Sequence, residues 1–241
     1  MVWFYEPGGG QGTILGIIGV QYPSTSFASA SPLLYVGING SLYSADWNGG
    51  GWNVLTPNAL TPGWHMAVYE EWYSGSTYYL ALYLDGQFVA QSSSSSLPQL
   101  FGSNGPFPYN DIGTAEVGGG YPGTPYSGTS NYGWWFFNGT IAYVALYNTI
   151  LNQTQVQQLY QAGFPNTLFS NNLVISYILD PTYYNNNSYY FIPYYVNTQL
   201  MNQMGINNYN ATSITPSGNT GPIPSSQFIY CLLYTSDAAD E

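Results

Sequence analysis

His65 is the one histidine in a chain of 241 residues. A catalytic or metal-binding histidine needs partners. The sequence offers no second His, and its single cysteine is Cys231. No nucleophile motif accompanies His65, so the residue reads as strand packing. Apart from Asp240 and Glu241 at the end of the chain, Glu70 and Glu71 are the only adjacent carboxylates. On an extended strand, neighbours point to opposite faces, so the two cannot flank one glycosidic bond, which needs paired acids on either side of it. Asp111 and Glu116 stand five apart and also oppose each other if extended. Asp85, followed by Gly86, reads as a turn former. These spacings argue against a hydrolase.

The segment from Gly118 to Trp135 carries a different chemistry. It reads Gly-Gly-Gly-Tyr-Pro-Gly-Thr-Pro-Tyr-Ser-Gly-Thr-Ser-Asn-Tyr-Gly-Trp-Trp. Tyrosine supplies rigid amphipathic contact area, and Ser, Gly and Asn adapt around it. Aromatic rings with amide neighbours also suit sugar rings. Tyr121, Tyr126 and Tyr132, with Asn131 as a polar partner, are the candidate ligand residues. They are expected to be exposed at a loop rim.

Composition narrows the partners. The chain has no Lys or Arg, 11 Asp and Glu, and only 5% charged residues, against roughly 25% in ordinary proteins. Nucleic acid is excluded as a partner, because phosphate binding rests on Lys and Arg. One cysteine excludes a disulfide framework. A hydrophobic content of 45%, with 18% aromatics, is enough for a packed core. No apolar run approaches the ~20 residues of a membrane span. The near absence of charge in acid suggests an outer-surface protein, extracellular or cell-surface, of an acidophile. Five Asn-x-Ser/Thr sequons, at Asn39, Asn138, Asn152, Asn186 and Asn210, are candidate glycosylation sites.

The elements that would position these residues are mostly strands. Val2–Tyr5, Thr13–Val20, Leu33–Ile38, Ser41–Trp47, Trp64–Trp72, Thr77–Leu84, Ile112–Val117 and Trp134–Tyr147 are separated by Gly, Pro, Ser and Asn. Asn39-Gly40 and Asp85-Gly86 mark hairpins. Leu80, Leu82 and Leu84 alternate with Tyr79, Ala81 and Tyr83, a period of two. One helix is marked by Asn152 as N-cap and Gln155 as its capping-box partner. Leu151 and Val156 form its staple, and Gly163 and Pro165 form its stop. Many short strands with one short helix argue an all-β sandwich.

Two stretches resemble laminin-G-like domains of the concanavalin A-like lectin and glucanase superfamily. Trp64-His-Met-Ala-Val68 followed by Leu82-Tyr-Leu-Asp-Gly86 resembles the family's paired central strands, with Ala and Val in shifted order. Phe137-Asn-Gly-Thr-Ile-Ala-Tyr-Val-Ala-Leu-Tyr147, then Leu151 and Gln155–Gly163, resembles its late strand and helix. The resemblance spans roughly residues 1–165. It implies a jelly-roll β-sandwich of two antiparallel sheets, acting as a non-catalytic binding or adhesion domain for a glycan or a surface protein. The glucanases of this superfamily place acids at alternating strand positions, text that is missing here. Calcium at the sandwich rim is a further implication, with Asp46, Asp111 and Glu116 as the candidate ligands. The alternative function is structural: self-assembly as a subunit of a surface layer, filament or virion.

The chain divides into a sandwich over residues 1–179, expected to lack its earliest strands, and a Tyr/Asn-rich linker or opening of a second unit over 180–230. Residues 231–241 form a separate tail. Cys231-Leu-Leu-Tyr-Thr-Ser-Asp-Ala-Ala-Asp-Glu241 resembles the translation of a transposase adapter used in sequencing libraries, as in a metagenomic fragment, and is expected to be non-native and unpacked. Setting aside its Asp237, Asp240 and Glu241 reduces the eleven acids to eight.

Overall fold

The computed structural model describes residues 1–18, 30–98, 109–179, 190–191, 193–203, 211–212 and 231–234. Two large antiparallel sheets carry the fold. With elements numbered in chain order, the first sheet runs Tyr195–Val196 (β15), Leu173–Ile178 (β13), Thr140–Tyr147 (β12), Val2–Glu6 (β1), Gly63–Ser74 (β6), Thr77–Leu84 (β7) and Gln87–Ser94 (β8). The second runs Tyr190–Phe191 (β14), Ala211–Thr212 (β16), Cys231–Tyr234 (β17), Tyr109–Ile112 (β9), Gly12–Ile18 (β2), Ala30–Val36 (β3), Leu42–Trp47 (β4) and Gly51–Leu55 (β5). A small ribbon pairs Glu116–Gly118 (β10) with Tyr132–Trp134 (β11). Helices span Gln153–Ala162 (α1) and Thr198–Gln203 (α2). The all-β sandwich is as expected; α2 is a helix beyond the one expected.

Alternation along the strands explains the layers. Leu80 and Leu82 of β7 enter the layer between the sheets with Val2, Phe4, Ile14, Leu34, Leu42 and Ala67. Ala81 and Tyr83 point the other way and join Trp3, Met66, Val68 and Tyr143 beneath α1. Tyr35, Tyr43 and Ala45 form a third cluster with Tyr121. Both faces of β7 are therefore covered.

Local chemistry sets the junctions. Asn152 caps α1 with its side chain on the Gln155 amide, and Gln155 returns the bond to the Asn152 amide, a complete capping box. Leu151 and Val156 are buried together, as a hydrophobic staple requires. Asp85 and Gly86 take φ of 50° and 80°, the two left-handed residues of a type I′ turn. At the Asn39-Gly40 hairpin only Gly40 is left-handed, so that turn is of another kind. Gly113, at φ 84°, interrupts the expected strand over 112–117 and yields β9 and β10.

The tail departs from expectation. Cys231–Tyr234 lies between β16 and β9, with Leu232 opposite Asp111 and Cys231 opposite Ile112. An apolar Cys-Leu-Leu-Tyr segment has strong strand preference, and an unpaired strand edge accepts such a segment through backbone bonds alone.

Candidate functional site

The strand hairpin β6–β7 places the titratable residues. His65 Nδ1 lies 2.8 Å from Asp85 Oδ2 and its Nε2 lies 2.8 Å from the Thr61 carbonyl oxygen. A carboxylate and a carbonyl both accept, so both ring nitrogens are satisfied together in the imidazolium. The Asp85 hydrogen bond raises the His65 pKa above its ordinary value, against the lowering effect of burial. The Met66 amide donates to the other Asp85 oxygen at 2.9 Å. His65 and Asp85 thus clamp the turn to β6.

Glu70 and Glu71 point to opposite faces. Glu70 accepts from the Leu151 amide at 2.8 Å, at the entry to α1. Burial raises its pKa to about 7. Glu71 faces the second sheet and meets Asp46 of β4, a pairing the spacing of the two residues in sequence did not announce. Burial, then the Asp46 charge, push the Glu71 pKa up to about 9. At neutral pH Glu71 therefore holds a proton and donates it to Asp46.

Asp46 is the sink of a wider network. It accepts from Ser31 Oγ at 2.7 Å and from the Trp47 amide at 2.7 Å. The Ser31 proton is committed to Asp46, so the Tyr121 hydroxyl, 2.7 Å away, donates to Ser31. Tyr69 donates to Glu71. Two further bonds join the sheets at this end: Trp52 Nε1 donates to Ser92 Oγ at 2.9 Å and Asn48 Nδ2 donates to Ser94 Oγ at 3.0 Å. The inward register of Asp46, two residues beyond Ser44 and four beyond Leu42, was the sequence signal for this arrangement. Chemically, burial and the neighbouring Asp46 favour a protonated Glu71. The pair's directly bonded carboxyls lack the gap of roughly 5 to 9.5 Å that glycoside hydrolysis requires.

The loop 118–135 divides in two. Tyr121 is 2% exposed, which corrects its expected role as a surface ligand residue. It packs 5.7 Å from Trp47 and bonds Ser31, because an apolar ring with a polar tip satisfies both the third cluster and the buried serine. Close backbone approach fixes the loop further. A Cβ on Gly119 would sit 1.8 Å from the Thr129 carbonyl oxygen, and one on Gly120 would sit 2.3 Å from the Trp47 ring. Tyr35 donates to the Pro122 carbonyl at 2.8 Å, and the Ile38 amide to the Gly123 carbonyl at 2.8 Å. The rest of the loop is less buried than this anchor. Tyr126 is half-buried, with its hydroxyl next to Gly133, Asn131 is exposed and Tyr132 is 48% exposed. Trp135 turns inward onto the third cluster.

The candidate calcium ligands do not line a rim. Asp46, Asp111 and Glu116 are all buried, and among the described residues no three Asp, Glu, His or Cys side chains lie together as a metal-holding group. Neither Asp111 oxygen has a hydrogen-bond partner among the described residues, and burial holds its pKa well above the ordinary value. Of the sequons, Asn39, Asn138 and Asn152 are exposed; Asn39 donates to the Tyr43 hydroxyl and Asn152 caps α1. Asn186 and Asn210 lie outside the described residues. No helix among the described residues is long and apolar enough to cross a membrane.

No protein-family model, curated protein or solved structure matches this chain. What stands is the class: an all-β protein of two large antiparallel sheets, consistent with a β-sandwich.

Proposed function

We propose that the chain is a non-catalytic binding domain of a secreted or cell-surface protein, laminin-G-like in kind, that takes a glycan or a surface protein on its Gly/Tyr-rich loop. The observation that carries this reading is the division of that loop. Buried Tyr121 bolts it to the sandwich, while Asn131 and Tyr132 are exposed and Tyr126 is half-buried with its hydroxyl next to Gly133. A loop held in one shape loses less entropy on binding, and Tyr with Asn is a contact surface in its own right. The directly bonded Asp46–Glu71 pair supports a non-catalytic role, and cation-free polarity supports an acid outer-surface setting.

The test is a Tyr126→Ala, Tyr132→Ala double variant on a glycan array and on immobilised surface proteins, at acid and neutral pH. The expected result is that the parent binds at least one component of the array or one surface protein that the variant no longer binds, with an unchanged near-UV spectrum. Equal binding by both to every component would sink the loop reading. A second reading, a structural subunit of a surface layer, filament or virion, draws on β8. Its backbone has one strand neighbour in the sheet order, and Phe88 on it is 48% exposed. Concentration-dependent assembly in sedimentation, without glycan or protein binding, would favour that reading.

A further inference from the structure

A second aromatic surface lies on the outer face of the first sheet, away from the Gly/Tyr-rich loop. Tyr5 of β1 and Trp64 of β6 are directly opposed cross-strand partners, with ring centroids 5.6 Å apart at 64°. Phe164, just beyond α1, lies 5.7 Å from Trp64 and 5.3 Å from Trp3. Tyr160 of α1 stacks on Trp3 at 5.6 Å and 7°. The rings form one continuous strip from Tyr5 through Trp64, Phe164 and Trp3 to Tyr160. Trp64 is 47% exposed, and Tyr5 and Tyr160 are 37% exposed. The aliphatic side chains of the same layer, among them Met66, Val68, Val156, Leu159 and Leu173, are buried. Trp64, Tyr5 and Tyr160 are thus the most exposed aromatic rings of the strip.

We propose that this strip is a saccharide-binding site that takes the pyranose rings of a neutral glycan. A pyranose has one face of C–H bonds that packs on an exposed aromatic face, and a rim of hydroxyls that needs polar neighbours. Thr140 of β12 is the cross-strand partner of Tyr5, and the Tyr5 and Tyr160 hydroxyls add donors and acceptors. The ligand is neutral because the chain has no Lys or Arg to pair with a uronate, sulfate or phosphate, and its one histidine is held by Asp85. A second copy of the chain fits less well. Aromatic side chains bury about 200 Å² each, so three part-exposed rings offer roughly 250 Å², well below the ~800 Å² per partner of a stable interface. Each ring is already held by the next, so little side-chain freedom is lost when a ligand arrives.

The site is independent of the loop, and the experiment separates the two. Maltohexaose, cellohexaose and xylohexaose, with polygalacturonate as the anionic comparator, are titrated by calorimetry and by tryptophan fluorescence. The proteins are the full chain, Trp64→Ala, Trp64→Leu, Tyr5→Ser and the Tyr126→Ala, Tyr132→Ala loop variant, each checked by near-UV circular dichroism. The expected result is binding of at least one neutral hexasaccharide. It should weaken about tenfold or more in both Trp64 variants, weaken in Tyr5→Ser, and persist in the loop variant. Trp64→Leu keeps apolar bulk without a ring face, so its loss marks stacking rather than stability. The proposal is overturned if no neutral hexasaccharide binds, if folded Trp64→Leu binds like the parent, if polygalacturonate binds best, or if only the loop variant loses binding. It is equally overturned if sedimentation shows a dimer that Trp64→Ala dissolves, since the strip is then a contact between copies.

Discussion

Replacing Glu71 by glutamine should change how stability depends on pH. The Glu71 pKa stands at about 9 in the folded protein against 4.5 for the free group. Between those values the native state binds a proton that the unfolded chain has released. Stability therefore falls as pH rises, by up to about 1.4 kcal/mol per pH unit from this group. From pH 5 to 7 the full effect is about 2.7 kcal/mol; partial exposure of Glu71 trims it to roughly 1 to 2 kcal/mol. That is a large share of the ~5–15 kcal/mol that holds a domain together. Glutamine keeps the shape and donates an amide N–H to Asp46 without titrating. Urea unfolding at pH 4.5, 5.5, 6.5 and 7.5, at constant ionic strength, gives the slopes. Glu71→Gln should match the parent near pH 4.5, exceed it at pH 7.5 and show the flatter dependence. Glu70→Gln should flatten only the part below about pH 7. Parallel curves for parent and Glu71→Gln, or parent stability that rises with pH over this range, would refute the argument.

Tyr121→Ala should cost about 3 to 5 kcal/mol, as large buried aromatics do, whereas Tyr121→Phe should cost about 1 kcal/mol for its hydroxyl bond to Ser31; urea midpoints separate the two, and near-equal costs would mean the ring is not core. The fold should persist at pH 2 to 3, because no carboxylate pairs with Lys or Arg and the buried acids Glu70, Glu71 and Asp111 are already disposed to hold protons. A cooperative loss of the near-UV signal between pH 5 and 3 would refute this.

Local rules made much of the fold legible. Asn152, Gln155, Leu151 and Gly163 specify α1 by capping alone, with no need of distant residues. Asp85-Gly86 specifies its turn because two successive left-handed residues favour few other pairs. The alternation in β7 gave its inward face. Pairing partners were not legible, because the residues that meet come from opposite sheets. Asp46 and Glu71 are 25 positions apart by their numbers, and neither has a local reason to seek the other. Tyr121 was misplaced for the same reason. Its neighbours Gly, Pro, Thr and Ser are those of a displayed loop, and only Ser31, Trp47 and Tyr43 show that this tyrosine is the anchor. The exposed strip through Trp64 was hidden because Trp64 and His65 sit in text that reads as strand core.

A buried carboxyl in most proteins finds Lys or Arg, and here neither exists. Three substitutes stand in their place. His65, the only side chain able to carry a positive charge, is spent on Asp85. Glu71 stays neutral and becomes a donor, so the Asp46–Glu71 contact is a hydrogen bond rather than a collision of charges. Neutral hydroxyls do the rest: Tyr69 donates to Glu71, and Tyr121 donates to Ser31, which donates to Asp46. The last of these ties the loop to the junction between the sheets. Ionising Glu71 would put a second charge beside Asp46 with no cation to balance it, and the cost would fall on the same bonds that hold Tyr121. Alkaline pH should therefore loosen the display of Tyr126 and Tyr132 before it unfolds the sandwich. In this core the proton serves as the counter-ion, which is the physical content of proposing an acid setting for the protein.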